Sequence, residues 1–204
     1  MPSKALGSPN TVCWKLMAML LRLTESAQGT QEKELIEQDA LTSIILAVTL
    51  VEAFTNTYFR VVASDAKFAA ASGQILNGLD SKQSNTRRKL REWSKLAFGQ
   101  EIDLTDSRWK RYEELVERRH QFIHYKPTYE TVSLPSEGLP VFVHGLTTLE
   151  PFVALDDKAA GECVRTVVGV VQLVGECQSF SDSDNAAFIH QWFGIPSGYD
   201  LNSL

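Results

Sequence analysis

A helical pattern of unusual length dominates this chain. From residue 32 to about residue 63, apolar side chains recur at spacings of three and four residues, which is the period of one face of an α-helix. An amphipathic helix is stable in water only when its apolar stripe packs against other elements. The pattern therefore predicts a long helix within a bundle of helices. Its stripe consists of Leu41, Ile44, Ile45, Val48, Val51, Thr55, Phe59 and Val62.

Six further segments have helical periodicity and recognisable ends. They are residues 11–27, 66–79, 84–98, 106–126, 157–178 and 184–193. Gly78 and Gly99 are expected to end two of these helices, and Asp106 is expected to cap the helix that stops at Pro127. The valine-rich stretch at residues 164–174 is long enough to favour a helix over a strand. The sequence therefore predicts a mainly α fold, an up-and-down helical bundle.

Residues 128–156 have a different composition. They contain three prolines, two glycines and short alternating stretches, which are typical of a hairpin or an ordered loop. We expect a small irregular or β-hairpin insertion here, directly after the helix that ends at Pro127, and a flexible tail at residues 195–204. Residues 1–204 are expected to form one domain, because a chain of this length can bury a hydrophobic core without disulfides or metals.

The cysteines and the hydropathy pattern indicate a cytoplasmic protein. Cys13, Cys163 and Cys177 are odd in number and form no CxxC pair, which is typical of a reducing compartment. We expect them to be buried as small apolar side chains. The longest apolar stretch, residues 41–54, is interrupted by polar residues before it reaches membrane length. No membrane partner is therefore expected.

Charge is unevenly distributed along the chain. The formal net charge is −5, yet residues 81–126 contain 12 Lys and Arg against 7 Asp and Glu, a local excess of five positive charges. A basic stretch of this kind is usually a solvated helical face, and it also permits binding to phosphates.

One arginine of the helix at residues 106–126 lies on its apolar face. A helical wheel places Arg119 inside the apolar arc, whereas Arg118 points about the opposite way. A guanidinium keeps its proton, so burying it requires a carboxylate, a phosphate or a water-filled cleft. The long helix also turns one charge inward, Glu52, with Asn56 one turn further on. We therefore expect Glu52 to bind Arg119. The arc consists of Trp109, Tyr112, Leu115, Val116, Phe122 and Ile123.

Two histidines follow this arginine. His120 and His124 are four residues apart and thus lie on one side of the helix, at the polar edge of the apolar arc. Since Pro127 is expected to stop the helix, His124 lies near its C-terminus, where the helix dipole favours a protonated imidazole. The two rings are expected to line one rim of the groove that contains Arg119.

Arg119, four intervening residues and His124 resemble the signature of the HEPN superfamily, an arginine followed by a histidine on a late helix of an α-helical bundle. The stretch LVEAFTN at residues 50–56 is similar to the second-helix segment of that family whose acidic and polar residues face the motif. The resemblance covers residues 32–127, and residues 131–155 match no part of the pattern.

Active members of that family are metal-independent endoribonucleases, many of them toxins or antiphage effectors. The resemblance implies that Arg119 holds the scissile phosphate and stabilises its developing charge, while His124 acts as general acid or base. His120, Glu52 and Asn56 would position these groups. The RNA's own 2′-hydroxyl would be the nucleophile, so a 2′,3′-cyclic phosphate would form and no cofactor or metal would be required.

The resemblance also implies partners. Arg118, Lys126 and Arg111 are expected to bind the RNA backbone. Arg119 and His124 are separated by about 140° on the helix, and the family commonly brings two motif helices together in a homodimer. The expected partners are therefore RNA, a second copy of the chain, and an antitoxin or a nucleotidyltransferase.

Two other interpretations remain open at this stage. A non-catalytic HEPN-like module that binds RNA or protein is the main alternative, with Glu52 and Arg119 forming an ion pair that only fixes helix register. His120 and His124 also have the spacing of two zinc ligands on a helix, but Gln121 occupies the position of the catalytic glutamate in zinc proteases. Zinc-dependent hydrolysis is therefore disfavoured.

Overall fold

The structure is a computed structural model, and it describes residues 8–80, 85–123, 131–132, 141–142, 155–196 and 198–201. Within these ranges the chain is mainly α-helical, as expected from the sequence. The helices are α1 (Thr11–Gly29), α2 (Lys33–Ser64), α3 (Ala69–Asp80), α4 (Thr86–Phe98), α5 (Ser107–Ile123), α6 (Asp157–Glu176) and α7 (Asp182–Phe193).

The long helix α2 is the centre of the bundle. It packs against α1, α3, α4, α5 and α6, and its buried residues lie on several sides of the helix rather than on one stripe. Phe54 is fully buried and stacks on Tyr58, with ring centroids 5.3 Å apart. Both rings also meet Phe188 and Trp192 of α7. A fully buried aromatic side chain is worth about 1.5–3 kcal/mol of transfer free energy.

Helix α6 is the second core helix, and the valine-rich segment is helical as predicted. Its buried residues are mostly valine, alanine and glycine, and these small side chains let it pack closely against α1, α2, α5 and α7. Asp156 caps its first turn by accepting a hydrogen bond from the backbone N–H of Ala159 at 3.0 Å.

The helix ends depend on the expected capping residues at two positions. Gly99 follows α4 in the left-handed conformation, with φ of 76°, which glycine adopts at little cost. Asp106 precedes α5, and its carboxylate accepts a hydrogen bond from the N–H of Arg108 at 2.7 Å. The two capping residues lie at the two ends of the single connection between α4 and α5, residues 99–106.

Two local expectations were wrong. Gly78 does not end a helix but lies inside α3, where its missing side chain allows the ring of Trp93 to approach. That segment also begins with a 3-10 turn at Ala66–Phe68. On α5, Ile123 is 55% exposed instead of facing the core.

Six residues of the expected insertion are described, two of which, Leu155 and Asp156, lie directly before α6. Thr131–Val132 and Val141–Phe142 pair as two-residue antiparallel strands, β1 and β2, with Thr131 opposite Phe142. The remainder of residues 128–154 and the last three residues of the tail lie outside the described ranges. The β-hairpin insertion and the flexible tail therefore stay predictions.

Helix α2 is long and apolar, and the three cysteines are buried in the core. By length and composition α2 could cross a membrane, with a mean hydropathy of 1.5 over its most apolar window, but half of that window is buried inside the bundle. Core helices of soluble proteins meet the same criterion. Cys13, Cys163 and Cys177 are free and buried, as predicted.

The two interior glycines of α3 provide a matched test of the packing against Trp93. A Cβ at Gly73 would meet nothing within 4 Å, so Gly73→Ala should raise the free energy of unfolding by about 0.5–1 kcal/mol. A Cβ at Gly78 would lie 3.0 Å from the Trp93 ring, so Gly78→Ala should cost about 1–2 kcal/mol relative to Gly73→Ala. Urea denaturation measures both, and equal effects would contradict the close approach.

Candidate functional site

The cleft that contains Arg119 lies between α2, α4 and α5. Its volume is about 460 Å³. Three cationic side chains and three carboxylates line it together with two aromatic side chains, so it is a polar cleft of mixed charge. The described lining residues are Glu52, Asn56, Asn85, Thr86, Arg87, Lys89, Trp109, Tyr112, Glu113, Val116, Glu117 and Arg119.

The contact between Glu52 and Arg119 is present as predicted. Nη1 of Arg119 donates a hydrogen bond to Oε1 of Glu52 at 3.0 Å. The Arg119 side chain is 25% exposed and that of Glu52 is 40% exposed, so the pair lies at the inner wall of an open cleft. One carboxylate oxygen receives one of five guanidinium N–H donors in this contact, which leaves further donors of Arg119 for a ligand.

Asn56, the other predicted positioning residue of α2, binds a cation from α4. Its Oδ1 accepts a hydrogen bond from Nζ of Lys89 on α4 at 2.8 Å. Nζ of Lys89 also lies 5.5 Å from the centre of the Trp93 ring. Partial burial lowers the pKa of Lys89, and nearby Glu52 opposes this effect. Glu52 and Asn56, one helical turn apart on α2, thus hold one cation each from α5 and α4.

Lys89 differs from the other cations of the cleft. Arg87 pairs with Glu113 at 3.0 Å on the rim, where both side chains are well exposed. Arg119 pairs with Glu52, but no described carboxylate pairs with Lys89. The N-terminus of α4, at Asn85, lines the same cleft and adds the partial positive charge of a helix start. The α4 side of the cleft is therefore its more electropositive side.

Two aromatic residues of α5 complete the cleft. Trp109 and Tyr112 are 1% and 2% exposed, and their rings lie 5.2 Å apart. The indole Nε1 of Trp109 has no hydrogen-bond partner among the described residues, and the Tyr112 hydroxyl lies beside the side chain of Thr86 at the start of α4. Burial raises the pKa of the Tyr112 phenol well above its ordinary value, so this hydroxyl stays protonated and is a donor.

The remaining predicted site residues are divided among three places. His124 and Lys126 lie outside the described residues. His120 is exposed and is not among the described residues that line the cleft. The helical wheel suggested that Arg118 points into open solvent. In the structure its side chain is instead half-buried against α6. Together with Arg111 it lines a separate groove. Arg111 and Arg118, which were expected to bind the RNA backbone, thus do not line the cleft that contains Arg119.

Sequence reasoning missed the contribution of α4. The helix was predicted, yet none of its residues was assigned to the site. A signal was available, because Lys89 precedes the buried Trp93 by four residues and therefore lies at the edge of the buried face. Its contact with Asn56 depends on how α4 lies against α2, which no local pattern specifies.

The described residues contain no group of three or more His, Cys, Asp or Glu side chains placed to bind one metal ion. Comparison with known proteins gives no match: no family model, no curated protein and no solved structure is similar to this chain.

The Glu52–Arg119 pair should contribute more to stability than an exposed pair. A double-mutant cycle with Glu52→Ala and Arg119→Ala should give a coupling of about 1 kcal/mol, because the guanidinium is three-quarters buried. The pair between Arg60 and Asp80 has side chains 53% and 69% exposed and is a suitable control, expected at about 0.3 kcal/mol. Equal couplings in chemical denaturation would show that the cleft gives Arg119 no special environment.

Proposed function

We propose that this protein is a metal-independent endoribonuclease of the HEPN type, with Arg119 and His124 as its catalytic residues. The main support is the position of Arg119: a guanidinium held by Glu52 at 3.0 Å on the inner wall of a cleft with room for a nucleotide. Arginine is the side chain best suited to bind a phosphate through several parallel hydrogen bonds. The HEPN resemblance supplies the role of His124.

The proposed reaction begins with the RNA itself. The ribose 2′-hydroxyl loses its proton to a general base and attacks the adjacent phosphorus, and the bond to the 5′-oxygen of the next nucleotide breaks. This oxygen takes up a proton, which leaves a 2′,3′-cyclic phosphate and a 5′-hydroxyl. His124 serves as the acid or base. Arg119 stabilises the charge that develops on the non-bridging oxygens.

Glu52 acts in this proposal as a positioning residue. Its carboxylate fixes the Arg119 side chain, which otherwise has many rotamers, so less conformational entropy is lost when the phosphate binds. Lys89, held by Asn56, would bind a neighbouring phosphate of the same strand. The buried rings of Trp109 and Tyr112 form the α5 wall of the cleft and would limit the size of the ligand that enters it.

A homodimer belongs to this proposal. His120 is not among the described residues that line the Arg119 cleft, and the Arg-x4-His spacing corresponds to about 140° on an ideal helix. A second copy of the motif would therefore complete the site, as in the family that the motif resembles. The exposed side chains of His120 and Ile123 leave this part of α5 accessible. A cytoplasmic location, and an antitoxin or nucleotidyltransferase as a neutralising partner, are further proposals from the same resemblance.

A non-catalytic module that binds RNA or protein is the second candidate. One observation favours it: Glu52 already neutralises Arg119, and the cleft has as many carboxylates as cations. A polyanion would then bind only weakly at the centre of the cleft. The cleavage assay separates the two candidates.

Substitution of Arg119 should abolish RNA cleavage. We expect Arg119→Ala to lower the rate at least about 100-fold, because loss of a single group that stabilises a transition-state anion has an effect of this size. Arg119→Lys should be intermediate, since it keeps the charge but not the planar donors. The assay uses the full chain, a labelled single-stranded RNA, and EDTA, with identification of the 2′,3′-cyclic phosphate end.

Arg22→Ala is the matched control, because Arg22 is an exposed arginine on α1 far along the chain from the cleft residues. Its rate should equal that of the wild type. Glu52→Ala should lower the rate more than Glu25→Ala, an exposed glutamate of α1. Uncleaved RNA with wild-type protein, or cleavage that persists in Arg119→Ala, would rule out the catalytic proposal.

Lys89 should contribute to RNA binding and not to the chemical step. Lys89→Ala is expected to weaken binding of a 2′-O-methyl oligonucleotide, which cannot be cleaved, and to reduce the slope of log K against log salt by about 0.7. Lys95→Ala is the control, since Lys95 lies on the same helix, is exposed and pairs with Glu101. Fluorescence anisotropy at several salt concentrations measures both slopes. Identical slopes would exclude Lys89 from the binding surface.

A further inference from the structure

A second cavity, a groove with an excess of arginines, lies between α5 and α6, on the other side of α5 from Glu52. Its volume is about 270 Å³. Three arginines line it, Arg111 and Arg118 from α5 and Arg165 from α6, together with two carboxylates and the side chains of Leu115 and Thr166. The lining therefore has a net charge of +1. Nothing in the ribonuclease proposal uses this groove.

None of the three arginines forms an ion pair within 4 Å with a carboxylate in the described part of the chain, although Asp106 lies near enough to Arg111 for the arginine to help lower its pKa. Glu114 is three residues from Arg111 and four from Arg118 on α5, yet no ion pair joins it to either arginine. Glu162 of α6 likewise pairs with none of them. Arg165 donates one long hydrogen bond, 3.5 Å, from Nη1 to the backbone carbonyl of Leu201. Most guanidinium donors of the groove are thus unused.

Arg118 is the most constrained of the three. Its side chain is half-buried, and its Nη2 nitrogen is fully buried without a hydrogen-bond partner. A buried N–H group without an acceptor destabilises a folded protein, and a charged one does so more than a neutral one. The nearby Cys163 is no counter-anion, because burial raises the pKa of its thiol to about 12 and keeps it protonated. The guanidinium therefore needs an acceptor that the described residues do not supply.

We propose that the α5–α6 groove is a phosphate-binding site in which Arg118, Arg111 and Arg165 donate hydrogen bonds to one phosphate group. A phosphate oxygen next to Nη2 of Arg118 would satisfy the unpaired donor. Arg111 and Arg165 would bind the remaining oxygens from either side of the groove. Several guanidinium groups around one anion are the usual arrangement for a tetrahedral phosphate, since each offers two parallel N–H donors.

This site is separate from the Arg119 cleft. Arg118 and Arg119 are consecutive on α5 and project about 100° apart, and the two cavities have no described lining residue in common. The inference goes beyond the proposed ribonuclease function and does not depend on it. The phosphate could belong to a free mononucleotide or to an RNA strand, and the chemistry of recognition is the same for both.

The first test compares melting temperatures in sodium phosphate and in sodium chloride at equal ionic strength. Phosphate should raise the melting temperature of the wild-type chain, because a ligand that binds only the folded state stabilises it. The rise should be clearly smaller in Arg118→Met than in Arg119→Gln, since Arg119→Gln alters only the other cleft. Arg91→Met, at an exposed arginine on α4, should behave as wild type. In chloride alone, Arg118→Met should melt no lower than wild type, since it removes a buried unpaired donor and keeps the side chain's length. If Arg118 were only structural, Arg118→Met would melt below the wild type in chloride.

Arg111→Gln and Arg165→Gln extend the test to the other two arginines of the groove. Calorimetric titration with phosphate should show binding weakened about tenfold in each, in proportion to one lost charge-assisted contact. AMP and a 2′-O-methyl oligonucleotide with a 5′-hydroxyl then identify the source of the phosphate. Binding of AMP alone indicates a mononucleotide, and binding of the oligonucleotide with the same loss in Arg118→Met indicates an RNA backbone.

Three results would overturn the inference: no phosphate effect on the wild type, an unchanged effect in Arg118→Met, or loss of the effect in Arg119→Gln alone. None of them bears on RNA cleavage, which is measured separately and depends on the Arg119 cleft. If Arg118→Met does not fold, unaltered phosphate affinity in both Arg111→Gln and Arg165→Gln decides against the site.

Discussion

The burial of α2 on most of its circumference is the constraint that arranges the rest of this protein. A 32-residue helix with apolar residues on several sides leaves unfavourable surface exposed unless other helices surround it. Helices α1 and α3–α6 pack against it, and the aromatic side chains of α7 close one end around Phe54 and Tyr58. The candidate cleft lies where this enclosure is interrupted, at the polar residues Glu52 and Asn56 of α2.

Glu52 and Asn56 explain how two cations come to face one cleft. They are four residues apart and therefore lie on one face of α2, but they bind residues from different helices, Arg119 of α5 and Lys89 of α4. The Glu52 carboxylate forms an ion pair with the guanidinium, whereas the Asn56 amide brings no charge of its own to the ammonium group of Lys89. Asymmetry of this kind gives the cleft one neutralised wall and one electropositive wall.

Helix α5 has different surroundings on its two sides, and one of two consecutive arginines faces each side. Arg119 turns toward α2 and finds a carboxylate, and Arg118 turns toward α6 and finds none among the described residues. Since a helix advances about 100° per residue, a doublet of arginines cannot serve a single site unless the side chains bend toward each other. The two cavities beside α5 are thus a geometric consequence of an Arg-Arg pair on a helix packed on both sides.

Local periodicity and capping chemistry determined the helices, so the sequence alone placed α1, α2, α4, α6 and their ends within a few residues, and it also indicated that Glu52 and Arg119 face each other. These features depend on neighbours along the chain and on a wheel with a fixed angle per residue. The tertiary structure decided what each polar side chain meets: Lys89 for Asn56, α6 for Arg118, and the Trp93 ring for Gly78. Such contacts join residues far apart in sequence, and they depend on the positions and rotations of whole helices, which follow from packing the complete core at once.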